Sequence, residues 1–225
     1  YWAIPAEDEG QFAYHMEDVL DLYHEPYDQN RPVICFDETS KALRGHKREP
    51  LPAQPGAVAR IGTHYERNGK QNLHLATEPL TGWVTVAITE KRKTADWIDR
   101  MVELADEHYP DANCIRVVLD NLNTHNPAAF YRYFPPDIAH AYLERFEFHY
   151  TPKHGSWLNM AEIEIGVLKR QCLNRRIYHA ATLRSEVAAW QKQRNAADGL
   201  IDWQFTTDDA RTKLRRLYPV PLTEN

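Results

Sequence analysis

Three of the 32 acidic residues stand where their placement can do chemistry. The apolar run Val33-Ile34-Cys35-Phe36 leads directly into Asp37, and Ile115-Arg116-Val117-Val118-Leu119 leads directly into Asp120. A carboxylate at the end of a buried strand is costly unless it is paired, solvated or bound to a cation, and the carboxyl ends of strands in open sheets are where ligand crevices form. The third acid belongs to a helix predicted to begin at Ser156. At about 100° per residue, Glu162 flanks the apolar stripe of Ala161 and Ile165 while Glu164 points about 200° away from it, so only one of them can face a given crevice. Glu162 is the better placed, because its side chain leans back toward Asn159 and the loop Thr151-Pro152-Lys153-His154-Gly155. Clustered oxygen ligands without cysteine suit hard ions, Mg²⁺ or Mn²⁺, which keep some waters and take phosphate oxygens as further ligands. Two such ions about 3.5–4 Å apart activate the attacking oxygen and stabilise the leaving one in phosphoryl displacement, and three carboxylates hold both ions if one bridges them. Spacing alone leaves a plainer reading open: Asp120-Asn121 is also a turn signal, and 32 acids offer many triples.

The elements that must hold these groups follow from periodicity. Residues 6–24 are predicted as a helix with Phe12, Met16, Val19, Leu20 and Tyr23 on one face. Beyond the strand that ends in Asp37, three antiparallel strands near Ala57–Tyr65, Gln71–Thr77 and Trp83–Thr89 are expected to form a meander, with turns at Asn68-Gly69 and Thr81-Gly82. A helix follows from Thr94 to Glu107, then the strand Cys114–Leu119, and then helical pieces over 127–143 interrupted by Pro135-Pro136. A strand over Arg145–Tyr150 leads to the long helix from Ser156, whose buried stripe is Trp157, Ala161, Ile165, Leu168 and Cys172, and to a last helix over Leu183–Arg194. Strands first, then strands alternating with helices, predict an α/β fold with a mixed sheet covered by helices.

A chain of 225 residues with 43% hydrophobic content can bury one large core, or one core with an appendage. No apolar run approaches the roughly 20 residues that span a bilayer, and Tyr1-Trp2-Ala3-Ile4-Pro5 has neither the basic nor the apolar stretch of a signal peptide; a cytoplasmic location without a membrane partner is expected. Cys35, Cys114 and Cys172 have no zinc or redox spacing and are expected to be small buried side chains. The net charge of -5 argues against a polyanionic partner, but its distribution does not. Residues 1–30 carry eight acids and no Lys or Arg; 31–150 hold 15 basic and 16 acidic residues; 151–225 hold 12 basic and 8 acidic. A polyanion responds to the local face of a protein more than to its sum.

The segments Cys35-Phe36-Asp37-Glu38-Thr39-Ser40-Lys41, Val117-Val118-Leu119-Asp120-Asn121 with His125, and Thr151-Pro152-Lys153-His154-Gly155-Ser156-Trp157-Leu158-Asn159 with Glu162 resemble, in order and context, the three catalytic blocks of the DDE transposases of bacterial insertion sequences in the mariner superfamily. The Gln54-Pro55-Gly56 turn with Arg60, and the stretch Thr63 to Gly69, resemble the segment between the first two blocks, and the resemblance runs from Tyr1 to about Trp203. It implies an RNase H-like fold, a mixed five-stranded sheet with helices on both faces, in which Asp37 and Asp120 end adjacent strands and Glu162 comes from a helix. It also implies two Mg²⁺ or Mn²⁺ ions held by Asp37, Asp120 and Glu162. Water then hydrolyses a phosphodiester at a transposon end, and the freed 3′-hydroxyl attacks target DNA. The implied partners are double-stranded DNA of the transposon ends and target, and a second copy of the chain when assembled on DNA. Glu162 matches the family's Asn-x-x-Glu pattern through Asn159.

Transposases of this type carry helix-turn-helix regions ahead of the catalytic domain, whereas this chain starts almost at the catalytic blocks. The expected organisation is an acidic helix and linker over 1–30, the catalytic domain over 31–205 and a basic tail over 206–225. Two alternatives remain: a truncated or domesticated remnant that binds DNA or protein without catalysis, and a generic RNase H-like metal nuclease. Around the triad, Asn121 and His125 are candidates to approach the scissile phosphate, or to serve only their turn. Glu38 alternates to the other side of the strand from Asp37 and is the poorer metal ligand. Lys41, Arg44, Lys153 and His154 are candidates to line a DNA groove, and Lys169, Arg170, Arg175 and Arg176 either track a phosphate strand or form a solvated face.

Overall fold

The computed structural model describes residues 9–47, 51–60, 62–197 and 199–220. Strands β1 (Val33–His46), β2 (Tyr65–Glu78), β3 (Trp83–Thr89), β4 (Ile115–Leu119) and β5 (Phe146–Tyr150) form one sheet in the order β3-β2-β1-β4-β5. β2 runs antiparallel to β1 and β3, and β4 runs parallel to β1 and β5. This is the expected mixed five-stranded, RNase H-like sheet, and helices cover both of its faces.

Alternation along β1 divides the interior in two. Cys35 and Leu43 face a core shared with α1 (Glu9–Tyr23), α5 (Ala161–Leu168), α6 (Ala180–Asn195) and α7 (Thr207–Lys213), through residues such as Leu20, Leu168, Val187 and Ala210. Ile34 and Phe36 face the other core, built from Trp97 and Met101 of α2 (Thr94–Glu103), Phe130 of α3 (Phe130–Tyr133) and Ala139 of α4 (Pro136–Glu144). The same alternation sends Asp37 toward the α5 side and Glu38 toward the α2 side.

Several expectations are corrected. Ala57–Tyr65 is not a strand; residues 51–60 make only the isolated bridges Leu51↔Arg60 and Gln54↔Ala57, and the meander consists of β1, β2 and β3. Asn68-Gly69 is not a turn between strands but an irregularity inside β2: Ala42 pairs with Lys70 and Arg44 with Arg67, so β2 carries one extra residue, and Gly69 takes φ 81° there. A glycine in the left-handed region lets the strand absorb that residue as a bulge instead of reversing. β1 does not end at Asp37; it runs on to His46, and what ends is its parallel pairing with β4, last seen at Cys35↔Val118. The helix expected from Ser156 opens with a 3₁₀ turn over Ser156–Leu158, becomes α-helical at Ala161 and closes in a π turn over Lys169–Leu173. Cys35 and Cys172 are buried, but Cys114 is only partly so.

α7 was not anticipated, although its capping box was present in the sequence: Thr206 Oγ1 accepts from Asp209 N at 3.0 Å while the Asp209 carboxylate accepts from Thr206 N. Arg211 of α7 pairs with Glu17 of α1 through two contacts of 2.8 Å, so acids and bases read as opposite ends of the chain neutralise each other. Among the described residues, no helix is long and apolar enough to cross a membrane.

Trp97 is fully buried, with the rings of His125, Phe130 and Phe148 at 5.8–6.0 Å. Trp97→Ala should lower unfolding stability by about 3–5 kcal/mol in urea denaturation; a loss below about 1 kcal/mol would show that the α2 face is not a packed core.

Candidate active site

The parallel register brings the first two acids together. Cys35 is level with Val118, so two residues further Asp37 comes level with Asp120, where β4 has stopped and no longer fills the space beside β1. The third acid is brought in by Asn159, which is 1% exposed. Its Nδ2 donates to the carbonyl of Phe36 at 2.8 Å, its Oδ1 accepts from Ala161 N at 3.0 Å, and its own carbonyl accepts from Glu162 N at 3.0 Å. One buried amide thus ties the first turn of α5 to the residue before Asp37. Tyr23 of α1 adds a second tie: its hydroxyl donates to the Leu158 carbonyl at 2.8 Å and lies 3.4 Å from Cys35 Sγ.

The two glutamates of α5 are sharply different. Glu164 is 2% exposed and held by Arg194 of α6, with Nε to Oε2 at 2.9 Å and Nη2 to Oε1 at 2.5 Å. Glu162 is exposed on the other side of the helix, and its charge reaches Asp37. Burial is the main reason that Asp37 is pushed up from 3.8 to about 7; the Glu38 backbone N–H, 2.7 Å from its Oδ1, opposes the rise, and the charges of Asp120, Glu38 and Glu162 add to it. A carboxyl group whose proton affinity is raised by burial, and further by neighbouring carboxylates, belongs to a site that favours cations, and an all-oxygen donor set suits a hard divalent one.

A second cluster lies behind Asp120. Glu38, Asp120 and His125 offer atoms that all lie within 4.8 Å of one another, a grouping that does not include Asp37 or Glu162. His125 Nε2 is 2.9 Å from Glu38 Oε1, and its Nδ1 is 2.8 Å from Asp120 Oδ1 and 3.1 Å from the Asp120 carbonyl. Burial opposes charging of this imidazole, but its hydrogen bonds to Asp120 and Glu38 outweigh that and hold it up to about 9. In the metal-free protein the charged imidazole faces a carboxylate oxygen with each of its nitrogens. The sequence expectation for His125 is corrected accordingly. Its side chain has no exposed surface, so it cannot touch a phosphate, and it orients Asp120 instead. Glu38 lies on the α2 side, with a side chain 2% exposed between His125 and His74 Nδ1 at 3.7 Å; its role is to hold His125. Asn121 is exposed at the rim.

The basic candidates divide. Lys41 Nζ donates to the carbonyls of Leu173 and Arg175, and Arg175 pairs with Glu186, so both brace the end of the π turn. Lys169 and Arg170 are exposed beyond α5. Lys153 and His154 are exposed in a turn closed by Gly155 N to Pro152 O at 2.8 Å, with His154 at φ 65°. Arg44 and Arg176 meet over the ring of Tyr65. Sequence reasoning missed Tyr23, His74 and Arg194. Tyr23 read as part of an apolar face, and nothing in the local spacing joins Arg194 to Glu164 or His74 to Glu38.

The family profile described as DDE superfamily endonuclease matches residues 32–184. No curated protein sequence matches the chain. Among solved structures, the Mos1 mariner paired end complex with Mn is similar at TM-score 0.55 and 14% identity over 96% of this chain and 61% of that one. The Mos1 strand transfer complex is similar at TM-score 0.57 and 12% identity over 89% and 64%, and the mariner Mos1 paired end complex with Mg at 0.51 and 12% over 91% and 66%. The chain therefore spans less than two thirds of the length of these structures, and at such identities the likeness is one of fold.

With Asp37 raised from 3.8 to about 7, the metal-free protein has added stability below the unfolded value, and loses it as pH rises through 7. Asp37→Asn should flatten the fall in melting temperature between about pH 4 and about pH 8 measured in EDTA; an unchanged profile would show that folding does not raise the proton affinity of Asp37. Arg194→Ala leaves Glu164 buried without its partner and should cost about 3–5 kcal/mol by chemical denaturation. A cost near zero would mean that the pair does not hold α5 in place.

Proposed function

Because the chain belongs to the DDE superfamily endonucleases, we propose that it is the catalytic domain of a transposase, which cuts DNA phosphodiesters at transposon ends and transfers the freed 3′-hydroxyl into target DNA. What supports this reading is that the β1–β4 register brings half-buried Asp37 level with Asp120 and that Asn159 ties the helix carrying Glu162 to the same strand. The similar structures bear names of paired-end and strand transfer complexes, two of them with Mn or Mg, and so support DNA as substrate and a divalent cofactor.

In this reading Asp37, Asp120 and Glu162 would hold two Mg²⁺ or Mn²⁺ ions. Such ions, when bound, supply Lewis acidity to the attacking and leaving oxygens of the phosphodiester. The chain's own residues make the site ready for them. Asp37 would act as a ligand in its ionised form, its proton having been released to solvent. His125, clasped by Glu38, fixes the carboxylate of Asp120 from behind, and Asn159 keeps Glu162 beside Asp37. Asn121 lies at the rim, within the reach of a phosphate group, and Lys153, His154, Lys169 and Arg170 offer exposed contacts for the DNA backbone. Lys41 and Arg175 contribute by bracing that surface. The catalytic unit spans residues 31–205, with α1 and α7 packed against it. It acts on double-stranded DNA in the cytoplasm, as a homodimer once assembled on the transposon ends.

Asp37→Asn, Asp120→Asn and Glu162→Gln should each reduce Mg²⁺- or Mn²⁺-dependent nicking of plasmid DNA by more than the roughly 10–100-fold typical of residues that merely support a ligand. Far-ultraviolet circular dichroism should show each variant folded. Undiminished nicking by folded Asp120→Asn would sink the proposal.

A further inference from the structure

The register of β1 and β2 writes a charge gradient onto one face of the sheet. Paired residues of antiparallel strands share a face, and the pairs on the Glu38 face are Glu38↔His74, Ser40↔Asn72, Ala42↔Lys70, Arg44↔Arg67 and His46↔Tyr65. The catalytic end is an acid held by histidine, the middle is neutral and polar, and the far end is basic. The bulge at Gly69 is what makes the far end coherent. Without the extra residue, Arg67 and Tyr65 would point to the opposite face from Lys70.

At that end three guanidinium groups share one ring. Those of Arg44, Arg67 and Arg176 lie 4.5, 5.8 and 5.9 Å from the centroid of Tyr65. Arg176 reaches the cluster from the segment after α5 and is fixed by donating to His46 Nδ1 at 2.9 Å and to the carbonyls of His64 and Thr63. Among the described residues, none of the three is paired with a carboxylate. Cation–π attraction at an exposed ring is worth about 0.5–1 kcal/mol per pair, enough to offset mutual repulsion in water but not to cancel the charge. A merely solvated face would let these long side chains spread apart, whereas here they are gathered and left unneutralised. On the same face a polar cleft of about 670 Å³ is lined by the cations Lys70, Lys91 and Arg92 together with the acids Glu38 and Glu90.

We propose that this face of the β1–β2 ribbon, ending in the Arg44, Arg67 and Arg176 cluster on Tyr65, is a binding site for the phosphodiester backbone of duplex DNA, separate from the carboxylate centre. The proposal rests on the reading of the chain as a DNA-processing enzyme and adds a second surface on which duplex is held. Arg44 lies seven residues along β1 from Asp37, about 23 Å at 3.3 Å per residue. Asp37 faces the α5 side of the ribbon and Arg44 the Glu38 side, so the cluster meets a stretch of duplex that the carboxylates do not touch.

The test is a fluorescence anisotropy titration of a labelled duplex of random sequence across a range of salt, with Asp120→Asn as the parent to prevent cleavage. Each phosphate contact contributes about 0.9 to the slope of log affinity against log salt. Adding Arg44→Glu or Arg67→Glu should make the slope shallower by about 0.9 each. Arg44→Gln should do the same without reversing charge, and Arg132→Glu on α3, an equal change of net charge, should leave the slope unaltered. Melting curves confirm that each variant is folded. Slopes equal to the parent's in the Arg44 and Arg67 variants, or an equal effect of Arg132→Glu, would overturn this site while leaving the proposed catalysis standing. A parent that binds no duplex even at low salt would overturn both.

Discussion

Asp37 comes level with Asp120 where the β1–β4 pairing stops, and Asn159 ties the helix of Glu162 to the same strand, so the neighbouring structure has to accommodate half-buried acid at one strand end. Burial, and to a lesser degree the charges of Asp120, Glu38 and Glu162, raise the proton affinity of Asp37. The surroundings restrain each of the other acids by a different means. Asp120 is held from behind by the His125 imidazolium, which Glu38 in turn holds. Glu162 is set in place by the Asn159 amide, and Glu164, which would otherwise add another negative charge to the same helix, is neutralised by Arg194. Leaving the first three acids close but unneutralised on the open side is a stable arrangement only because the groups behind them are paired, and it is what makes the open side attractive to cations.

The same separation of charge extends over the whole molecule. Among the described acids of the first 30 residues, Glu17 is joined by Arg211 and Asp18 contacts His149 at 2.9 Å. The cations of the β1–β2 ribbon, in contrast, have no such partners among the described residues. A net charge of -5 is therefore compatible with a basic face, because Glu17 and Asp18 are paired where α1 packs on α7 and β5, while no carboxylate among the described residues pairs with the guanidiniums on Tyr65. Lys41 and Arg175 show the reverse case, basic residues that look like a DNA track in the sequence but cap carbonyls and pair with Glu186 in the fold.

Most of the fold was legible because it is written in short-range patterns. The apolar runs before Asp37 and Asp120, the stripe of α5 and the aromatic alternation of β5 each need only a few neighbouring residues to be read. Errors arose where the same local signal serves two structures. Asn68-Gly69 suits a hairpin turn and a bulge equally well, and only the facing strand decides between them. β1 was cut short at Asp37 because its apolar run ends there, yet the strand continues, paired on one side by β2. The α7 capping box was overlooked beneath a basic composition that suggested a tail.

For the site itself, the sequence by itself determined which acids were candidates and that Glu162 and Glu164 must point in different directions, since helix periodicity and strand ends are properties of contiguous residues. It could not assign Glu38, His125 or Arg194. The roles of these residues depend on pairings across 87 and 30 positions of chain, and a hydrogen bond between residues so far apart leaves no trace in local spacing. Tertiary structure alone decided that His125 is a buried clasp and not a phosphate contact, that Glu164 is neutralised, and that the arginines of β1, β2 and the segment after α5 meet on one ring. The physical reason is the same in each case. Burial and partnership set the charge state and reach of an ionisable side chain, and both are fixed only when distant segments pack.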